Sequence, residues 1–444
     1  MPNFIAYIAL SCWPIFSIVL YKKMDTVSAT FWCIFGGYLI LPAGMAIDPP
    51  LLPPLNQETI PPISALIGCL VIKKLNISII PKQGIEKILV LTIVLIPLIT
   101  FLTNTEPYFN GAVWIAGLEF RDMISSVLQS YLGILSFILG MQIIKSHEDQ
   151  TKLFKLITIA LLAYSILILF EIRMSPQLHT WLYGYFPHEW GQQKRMGGFR
   201  AVVFVGHGLL VSLLLAIALA CGTALWKNKE KVVRFSTPII LIYLLLVLIL
   251  SKSLGALIIG LFLILMLSTL APIAQQKTTY KILLLFLIYP VLSIFDLIPK
   301  ELLVGFFNSI DPDRAQSLAY RFYHEGRVIE HALDKPIFGW GGWGRNRLED
   351  SVIDGFWILV MGKSGLVGLF SLFGLFSLGV YRALQASNKI NNMPVRRILI
   401  AHALIGACIL LDQVLNHTLY TALMFFMGAL LGRANTILKQ QRGS

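Results

Sequence analysis

Residues 238–250 read PIILIYLLLVLIL, and residues 281–295 read KILLLFLIYPVLSIF. Both runs are continuously apolar and lack the alternation at every second residue that marks a membrane barrel strand. Apolar runs of about 20 residues are typical of transmembrane helices, which satisfy their own backbone hydrogen bonds in lipid. Because such runs recur along the chain, we predict an all-α, polytopic integral membrane protein with about 12–13 transmembrane helices.

The composition agrees with a lipid environment. The 444 residues are 56% hydrophobic and 13% charged, whereas a soluble domain carries about 25% charged residues. The net charge of +13 is explained by the Lys and Arg that collect in cytoplasmic loops, so no nucleic-acid partner is expected. The five cysteines lie in or beside apolar runs without metal-ligand spacing, and we interpret them as core residues.

A long polar interruption at residues 296–351 separates the later apolar runs. We predict that it forms a large extracytoplasmic loop carrying short helices. The chain then divides into four parts: N-terminal transmembrane helices at 1–120, central transmembrane helices at 121–295 with an extracytoplasmic loop at 171–200, the large loop at 296–351, and C-terminal transmembrane helices at 352–444.

The distribution of Lys and Arg predicts the orientation. Basic residues concentrate in alternate short connections, which the positive-inside rule assigns to the cytoplasm; these are residues 22–23, 73–87, 145–152, 227–234, 277–281, 382–397 and 433–442. The loops at 171–200 and 296–351 then face outward although both contain arginine. We interpret this departure from the rule as a sign of function.

Some details of the helix pattern remain open. The third predicted helix, about 63–72, looks short, the seventh is expected at about 201–226, and the eleventh at about 352–381. Ser251-Lys252-Ser253 separates two apolar runs as either a tight hairpin or a broken helix. At a helix centre Lys252 costs about 2.5–3.5 kcal/mol and needs a partner or ligand, whereas in a hairpin it would face water.

A first group of candidate residues surrounds two glycines in the 171–200 loop. Arg195 and Arg200 flank Gly197-Gly198, and His207 follows at the expected mouth of a helix. Glycine permits close backbone approach, and the planar arginine fork suits a diphosphate. The alternative is that both arginines only anchor the chain to lipid headgroups.

The large loop supplies a second group. Residues 321–334 are predicted to form a short helix that stops before Pro336, with His324, Arg327 and His331 on one face. Their spacing does not suit zinc, and no metal site is expected. The glycines at 339–344 favour a tight turn rather than a nucleotide-binding loop.

Asp354 lies where the eleventh predicted helix begins. A carboxylate at an outward membrane boundary can act as a general base on a hydroxyl. It can equally be a capping or first-turn acid that the helix dipole favours. Three polar residues of the late helices, His402, Asp412 and His417, either line the same cavity or pair with one another.

At these residues the chain resembles the O-antigen ligase and Wzy-type polysaccharide polymerase superfamily. Its pattern is an Arg, an Asp-x-Pro turn ending in Gly-x-Gly, and a helix with Gly-Leu-x-Gly. Similar segments here are Arg327, Asp334-Lys-Pro336-Ile-Phe-Gly339-Trp-Gly341 and Gly365-Leu-Val-Gly368. Two earlier elements are similar to Arg195-Met-Gly-Gly198-Phe199 and Ser251-Lys252-Ser253, and the match covers about residues 120–380 in order.

The resemblance implies a glycosyltransferase in the bacterial inner membrane, with its active site on the outer face. The donor would be a glycan on undecaprenyl diphosphate, and no metal or nucleotide cofactor would be needed. Arg327 and Asp354 would be catalytic, with Asp354 as the base. Further residues would contact substrate: Arg195, Arg200, Lys252 and Arg321 the diphosphate, and His207, His324 and Trp340 the glycan.

The resemblance also indicates which acceptor the enzyme would use. Ligases of the superfamily carry a His where this chain has Asp354, which favours a polymerase that extends another lipid-linked glycan. Expected partners are membrane lipids, a chain-length regulator and a flippase. Two alternatives are a ligase that transfers glycan to lipid A-core or a protein, and a flippase or transporter for the same lipid. A transporter would show internal repeats, and none is visible in the sequence.

Overall fold

The computed structural model describes residues 1–49, 52–111, 113–195, 197–233 and 235–441, with Asn110 and Arg314 described by their backbone alone. Helices dominate this part of the chain, which confirms the predicted all-α class. Its strands form three short hairpins: β1 (Ala46–Ile47) with β2 (Leu55–Asn56), β3 (Tyr108–Asn110) with β4 (Val113–Ile115), and β5 (Lys194–Arg195) with β6 (Gly198–Phe199).

The helices follow the predicted order. They are α1 (Phe4–Lys23), α2 (Thr26–Phe31), α3 (Gly37–Ile40), α4 (Ile60–Ile67), α5 (Ile85–Leu102), α6 (Phe120–Ile143), α7 (His147–Met174), α8 (Leu178–Tyr183), α9 (Gly208–Lys227), α10 (Thr237–Leu250), α11 (Leu254–Thr269), α12 (Pro272–Ile294), α13 (Lys300–Asn308), α14 (Pro312–Leu333), α15 (Phe356–Ser387), α16 (Met393–Asp412) and α17 (Thr421–Gln440). Short π-helical segments, Trp32–Gly36 and Gly68–Ile72, join α2 to α3 and extend α4.

Nine helices of the described chain are long and apolar enough to cross a membrane: α1, α5, α6, α7, α9, α12, α15, α16 and α17. Four shorter apolar segments lie between them, at Thr26–Ile40, Ile60–Ile72, Thr237–Leu250 and Leu254–Thr269. The chain is therefore a multi-pass membrane protein. The described chain thus shows nine candidate spans where about 12–13 were predicted, the four shorter segments lie where further helices were expected, and the third predicted helix is short as expected.

Successive apolar helices run in opposite directions, so the connections collect at two ends. Asn3 donates to the Leu182 carbonyl at 2.9 Å and Thr100 to the Phe338 carbonyl at 2.6 Å, which brings distant connections together at one end. We call this the loop end; it comprises the described residues within 41–59, 103–119, 175–207, 251–253, 295–355 and 413–420. At the opposite, basic end, Lys152 bonds Asp25 at 2.7 Å.

The chain reverses direction at Ser251–Ser253, which settles the choice between a hairpin and a broken helix. Ser212 of α9 bonds Ser251 at 3.0 Å, and Gly222 of α9 faces Leu241, so α10 runs antiparallel to α9. Lys227, at the end of α9, bonds the carbonyl of Ser268 at 2.7 Å, near the end of α11. Helix α11 therefore returns parallel to α9, and Lys252 occupies the hairpin tip at the loop end.

Three predicted helix starts were wrong. Helix α9 begins at Gly208 rather than near residue 201, because the amides of Val202 and Val203 donate to the Glu171 carboxylate instead of entering a helix. Helix α15 begins at Phe356 rather than near residue 352, with Gly355 as its N-cap. The helix predicted at residues 321–334 is present as α14 and ends at Leu333, before Pro336, but it begins at Pro312, nine residues earlier than expected.

A reciprocal set of hydrogen bonds joins the turn at residues 336–341 to a break in α15. The break is at Gly365 (φ 65°, ψ −170°), a conformation essentially reserved for glycine. There the amides of Leu366 and Val367 leave the helical ladder and donate to the carbonyls of Pro336 (2.7 Å) and Ile337 (3.2 Å).

The carbonyls that lost those amides are satisfied from the same turn. Gly362 accepts from the Trp340 amide at 2.8 Å, and Lys363 accepts from the Gly341 amide at 2.9 Å. We call this four-bond junction the clasp. It matters energetically because an unpaired backbone group away from water costs free energy comparable to a lost hydrogen bond.

Glycines make the clasp possible because the two backbones nearly touch. A Cβ on Gly365 would lie 2.2 Å from the Ile337 oxygen, and a Cβ on Gly339 would lie 2.6 Å from the Ser364 nitrogen. Further bonds tie the turn to the end of α5, where Asn104 donates to the Gly339 carbonyl at 3.0 Å.

We expect Gly365→Ala to destabilise the protein by about 2 kcal/mol or more, because it adds the clash to a backbone conformation that costs about 1–3 kcal/mol for other residues. Thermal unfolding in detergent measures the effect. Gly374→Ala on the same helix is the matched control, since its nearest neighbour atom is 3.7 Å from the added Cβ. Equal unfolding temperatures for the two variants would contradict the clasp.

Candidate functional site

A buried carboxylate organises the loop end beside α9. Glu171, near the end of α7, is fully buried and accepts amide hydrogen bonds from Val203 (2.7 Å), Val202 (2.8 Å) and Leu178 (3.0 Å). Gln57, also buried, donates to the Phe204 carbonyl at 3.0 Å. These bonds hold residues 200–207 as an ordered non-helical segment in front of α9.

Three of the sequence-predicted cations meet next to this segment. Strands β5 and β6 pair Arg195 with Gly198; Met196 between them lies outside the described residues. Gly198 has no Cβ, and an added one would lie 2.1 Å from the Lys252 ammonium nitrogen. Arg200 donates to the Lys252 carbonyl at 3.4 Å. We call Arg195, Arg200 and Lys252 the cationic cluster.

Two glycines create the space for this cluster: Gly198, one of the predicted pair, and Gly208, which was not predicted. A Cβ on Gly208 would lie 2.1 Å from Arg200 Cδ, so the Arg200 stem crosses the first turn of α9. Lys252 adopts φ 55° at the hairpin tip, where Gly or Asn is usual. Local strain of this kind collects at functional sites.

His207 lies at the edge of the cationic cluster and caps α9. Its Nδ1 accepts the Leu209 amide at 3.1 Å, and its ring packs against His188 at 4.7 Å between centroids. Burial, followed by repulsion from His188, Arg200 and Arg195, lowers the pKa of His207 to about 4. His207 is therefore neutral at pH 7 and can exchange hydrogen bonds with hydroxyl groups.

A second cluster lies at the start of α15. Arg321 Nε is 3.1 Å from Asp354 Oδ2, and both side chains are partly exposed. Asp354 precedes the N-cap Gly355, so the alternative that Asp354 caps the helix does not hold. Both residues line a small pocket with His324 and Glu325.

Arg327 and His324 have partners in the large loop. Arg327 forms two bonds with Asp350, at 2.7 and 2.9 Å, and this pairing holds the pKa of Asp350 below its usual range. His324 is buried beside Tyr320, with 4.2 Å between ring centroids. Glu325 accepts from Ser293 at 2.5 Å, and burial raises its pKa.

Trp340 does not suit the predicted contact with glycan. It is 6% exposed, its indole N–H donates to the His331 carbonyl at 2.7 Å, and its ring stacks on the His331 ring at 4.6 Å. The His331 ring in turn bonds the Arg345 carbonyl at 2.7 Å. Trp340 and His331 therefore support the clasp from inside the fold.

The three polar residues of the late helices, His402, Asp412 and His417, have different roles. His402 is buried and bonds Gln150 at 2.9 Å, which is a structural role. Asp412 accepts from Thr418 at 2.6 Å and Asn416 at 2.8 Å, and so shapes the turn before α17. His417 stacks on Phe356 at 4.7 Å and lines a cavity.

The sequence analysis missed two charged residues of that cavity. Glu58 and Lys363 both line a space of about 260 Å³ between α5, α6, α15 and α17. Glu58 is open to the cavity and surrounded by protein on its other sides, and this enclosure raises its pKa to about 7. A lone Lys363 in the apolar run FWILVMGKSG was the signal that could have identified the cavity.

No metal centre is apparent: the described residues contain no group of three or more His, Cys, Asp or Glu arranged to hold an ion. Searches of protein-family models and of curated proteins give no match for this chain. The site is therefore defined by its own geometry: a cationic cluster, a carboxylate–arginine pair and a cavity, all at the loop end.

We expect Glu171→Gln to loosen the segment that carries Arg200, because hydrogen bonds to a charged group contribute about 1.5–3 kcal/mol. Hydrogen exchange at the Val202 and Val203 amides should accelerate by about 10- to 100-fold. Glu148→Gln, at an exposed position of the same helix, is the control and should leave both amides protected. Unchanged protection in Glu171→Gln would show that the carboxylate does not organise this segment.

Proposed function

We propose that this protein is a glycan polymerase of the inner membrane, related to the O-antigen ligase and Wzy-type superfamily. It transfers a glycan from undecaprenyl diphosphate to the hydroxyl of an acceptor lipid-linked glycan at the outer face, without a metal. The observation that carries the proposal is the cationic cluster, in which Arg195, Arg200 and Lys252 meet from two separate parts of the chain.

The cluster has the properties that a diphosphate site needs. Arginine binds phosphate oxygens through paired N–H groups, and the N-terminus of α9 adds a positive dipole beside Arg200. Its position next to a membrane boundary suits a ligand whose anionic head is joined to an apolar chain. Neutral His207 at the rim can bond sugar hydroxyls.

The distribution of charge supports an outward-facing site. The basic end carries the clusters Lys22-Lys23, Lys73-Lys74 and Arg396-Arg397 together with most other exposed cations. The positive-inside rule assigns this end to the cytoplasm. The loop end then faces outward, and the large loop at 296–351 is extracytoplasmic.

In the proposed reaction the acceptor oxygen attacks the anomeric carbon of the donor. The bond from that carbon to the phosphate oxygen breaks, and the diphosphate leaves with the electron pair. The cationic cluster stabilises the negative charge that develops on the leaving group. Asp354 accepts the proton of the acceptor hydroxyl, and Arg321 at 3.1 Å orients the carboxylate.

Arg327 is a second proposed contact for the diphosphate. Its fork holds Asp350 through two bonds, and a phosphate accepts the same geometry. The clasp supports the superfamily relationship, because two of its motifs, Asp334–Gly341 and Gly365–Gly368, bond to each other through Pro336 and Leu366.

Purified protein given undecaprenyl-diphosphate oligosaccharide alone is expected to produce a ladder of longer lipid-linked glycans. Arg200→Gln should lower the rate by about 10- to 100-fold, and Asp354→Asn by about 100-fold or more. Arg121→Gln and Asp296→Asn are matched controls: Arg121 lies in the first turn of α6 next to the loop end, Asp296 lies at the loop end, and both are outside the proposed site.

The outcomes separate the alternatives. Glycan transfer only after lipid A-core or a protein acceptor is supplied would make the chain a ligase. A flippase would move the labelled lipid across a vesicle membrane without changing it. Full activity in both Arg200→Gln and Asp354→Asn would contradict the proposed mechanism.

A further inference from the structure

The cavity between α5, α6, α15 and α17 is tall for its volume of about 260 Å³. Phe356 lines it at the loop end and Leu372 lines it deeper in α15. The two are sixteen positions apart, with about two helical turns of α15 on each side of the break at Gly365. The deep wall is apolar and includes Leu132 of α6, while Met424 lines the cavity in the first turn of α17, near the loop end. The cavity therefore has the dimensions and lining of a channel for an apolar chain.

Lys363 brings a positive charge to the middle of this channel. It lies within the membrane-spanning helix α15, seven positions after Phe356 and directly beside the clasp. Its side chain contacts Gln129 at 3.5 Å. Among the described residues no carboxylate lies within 4 Å of its ammonium group. A cation at this depth is costly and usually marks a ligand path.

The loop end of the channel has the opposite character. Glu58 lines it there, together with His417 and Tyr420. Tyr420 faces Glu58 closely enough that burial and the Glu58 charge both raise the pKa of the Tyr420 hydroxyl. An anion would be repelled from Glu58 and attracted to Lys363, whereas hydroxyl groups can donate to Glu58.

We propose that this channel is the acceptor site and binds a lipid-linked glycan whose phosphate contacts Lys363. The apolar chain would extend along the deep wall, and the glycan would rise past Glu58 towards the loop end. This assignment rests on the proposed function, which requires a second lipid-linked substrate. It goes beyond that function by giving the acceptor its own phosphate contact, separate from the cationic cluster.

The channel opens next to the donor site. Gln57, which precedes Glu58, bonds the Phe204 carbonyl at 3.0 Å, in the segment between Arg200 and His207. On the other side, Phe356 stacks on His417 at 4.7 Å and follows closely after Asp354. A glycan leaving the channel at Glu58 thus emerges between the cationic cluster and the proposed base.

The test counts bound lipids by native mass spectrometry. The full-length chain is placed in phosphatidylcholine nanodiscs and titrated with undecaprenyl diphosphate that carries no sugar. Wild-type protein is expected to bind two molecules. Lys363→Gln should bind one, with affinity at the lost site at least tenfold lower, and Arg200→Gln should bind one at the remaining site.

Gly133→Leu tests the channel without changing a charge. Gly133 lines the cavity, and an added Cβ meets no atom within 4 Å, so leucine would fill the space and displace the apolar chain. One bound lipid is expected. Gly255→Leu is the control, because Gly255 lies on the exposed face of α11 with equally open space. It should bind two.

The two proposals fail differently. One bound lipid that is lost in Arg200→Gln and retained in Lys363→Gln would overturn the acceptor site and leave the donor site intact. One bound lipid that is lost in Lys363→Gln and retained in Arg200→Gln would support the channel as a lipid site and contradict the cationic cluster as donor site. Displacement of the Lys363-dependent molecule by phosphatidylglycerol at equal concentration would identify a membrane phospholipid as occupant and overturn the acceptor assignment.

Discussion

The structure of the loop end depends on the clasp between the turn at residues 336–341 and the break in α15. A break in a membrane-spanning helix releases backbone groups that lipid cannot satisfy. Here the same turn donates to the carbonyls of Gly362 and Lys363 and accepts from Leu366 and Val367. The large loop is thereby fixed to the helix bundle, and the first half of α15 is set apart from the second. That separation positions Asp354 at one end and Lys363 at the break.

The rest of the loop end follows the same principle, since buried polar groups order segments that are neither helix nor strand. Glu171 binds the amides in front of α9, and Gln57 binds the carbonyl of Phe204. Between them they fix Arg200, while the hairpin of α10 and α11 brings Lys252 from fifty residues later in the chain. The fold therefore brings together cations that lie far apart in the sequence, and it buries one of them, Arg200.

Much of the fold was predictable because continuous apolar runs leave few alternatives, and their order and approximate bounds agree with the helices. The errors have physical causes. Residues 201–207 are mostly apolar and were predicted to be helical. The Glu171 carboxylate, about thirty residues earlier, accepts hydrogen bonds from amides of this segment and keeps it out of the helix. Trp340 was expected to contact the glycan because tryptophan often stacks on sugars, but its ring is buried and its N–H donates to the His331 carbonyl. Lys363 was overlooked since one cation barely changes a strongly apolar run.

The most direct test of the proposed function is a cryo-EM map of the full chain in a nanodisc with undecaprenyl-diphosphate oligosaccharide. We expect diphosphate density within ion-pair distance of Arg195 and Arg200, at the N-terminus of α9, with the glycan directed towards Asp354. Lipid-linked glycan bound at the basic end, or anywhere that leaves the cationic cluster without contact to a phosphate, would contradict it.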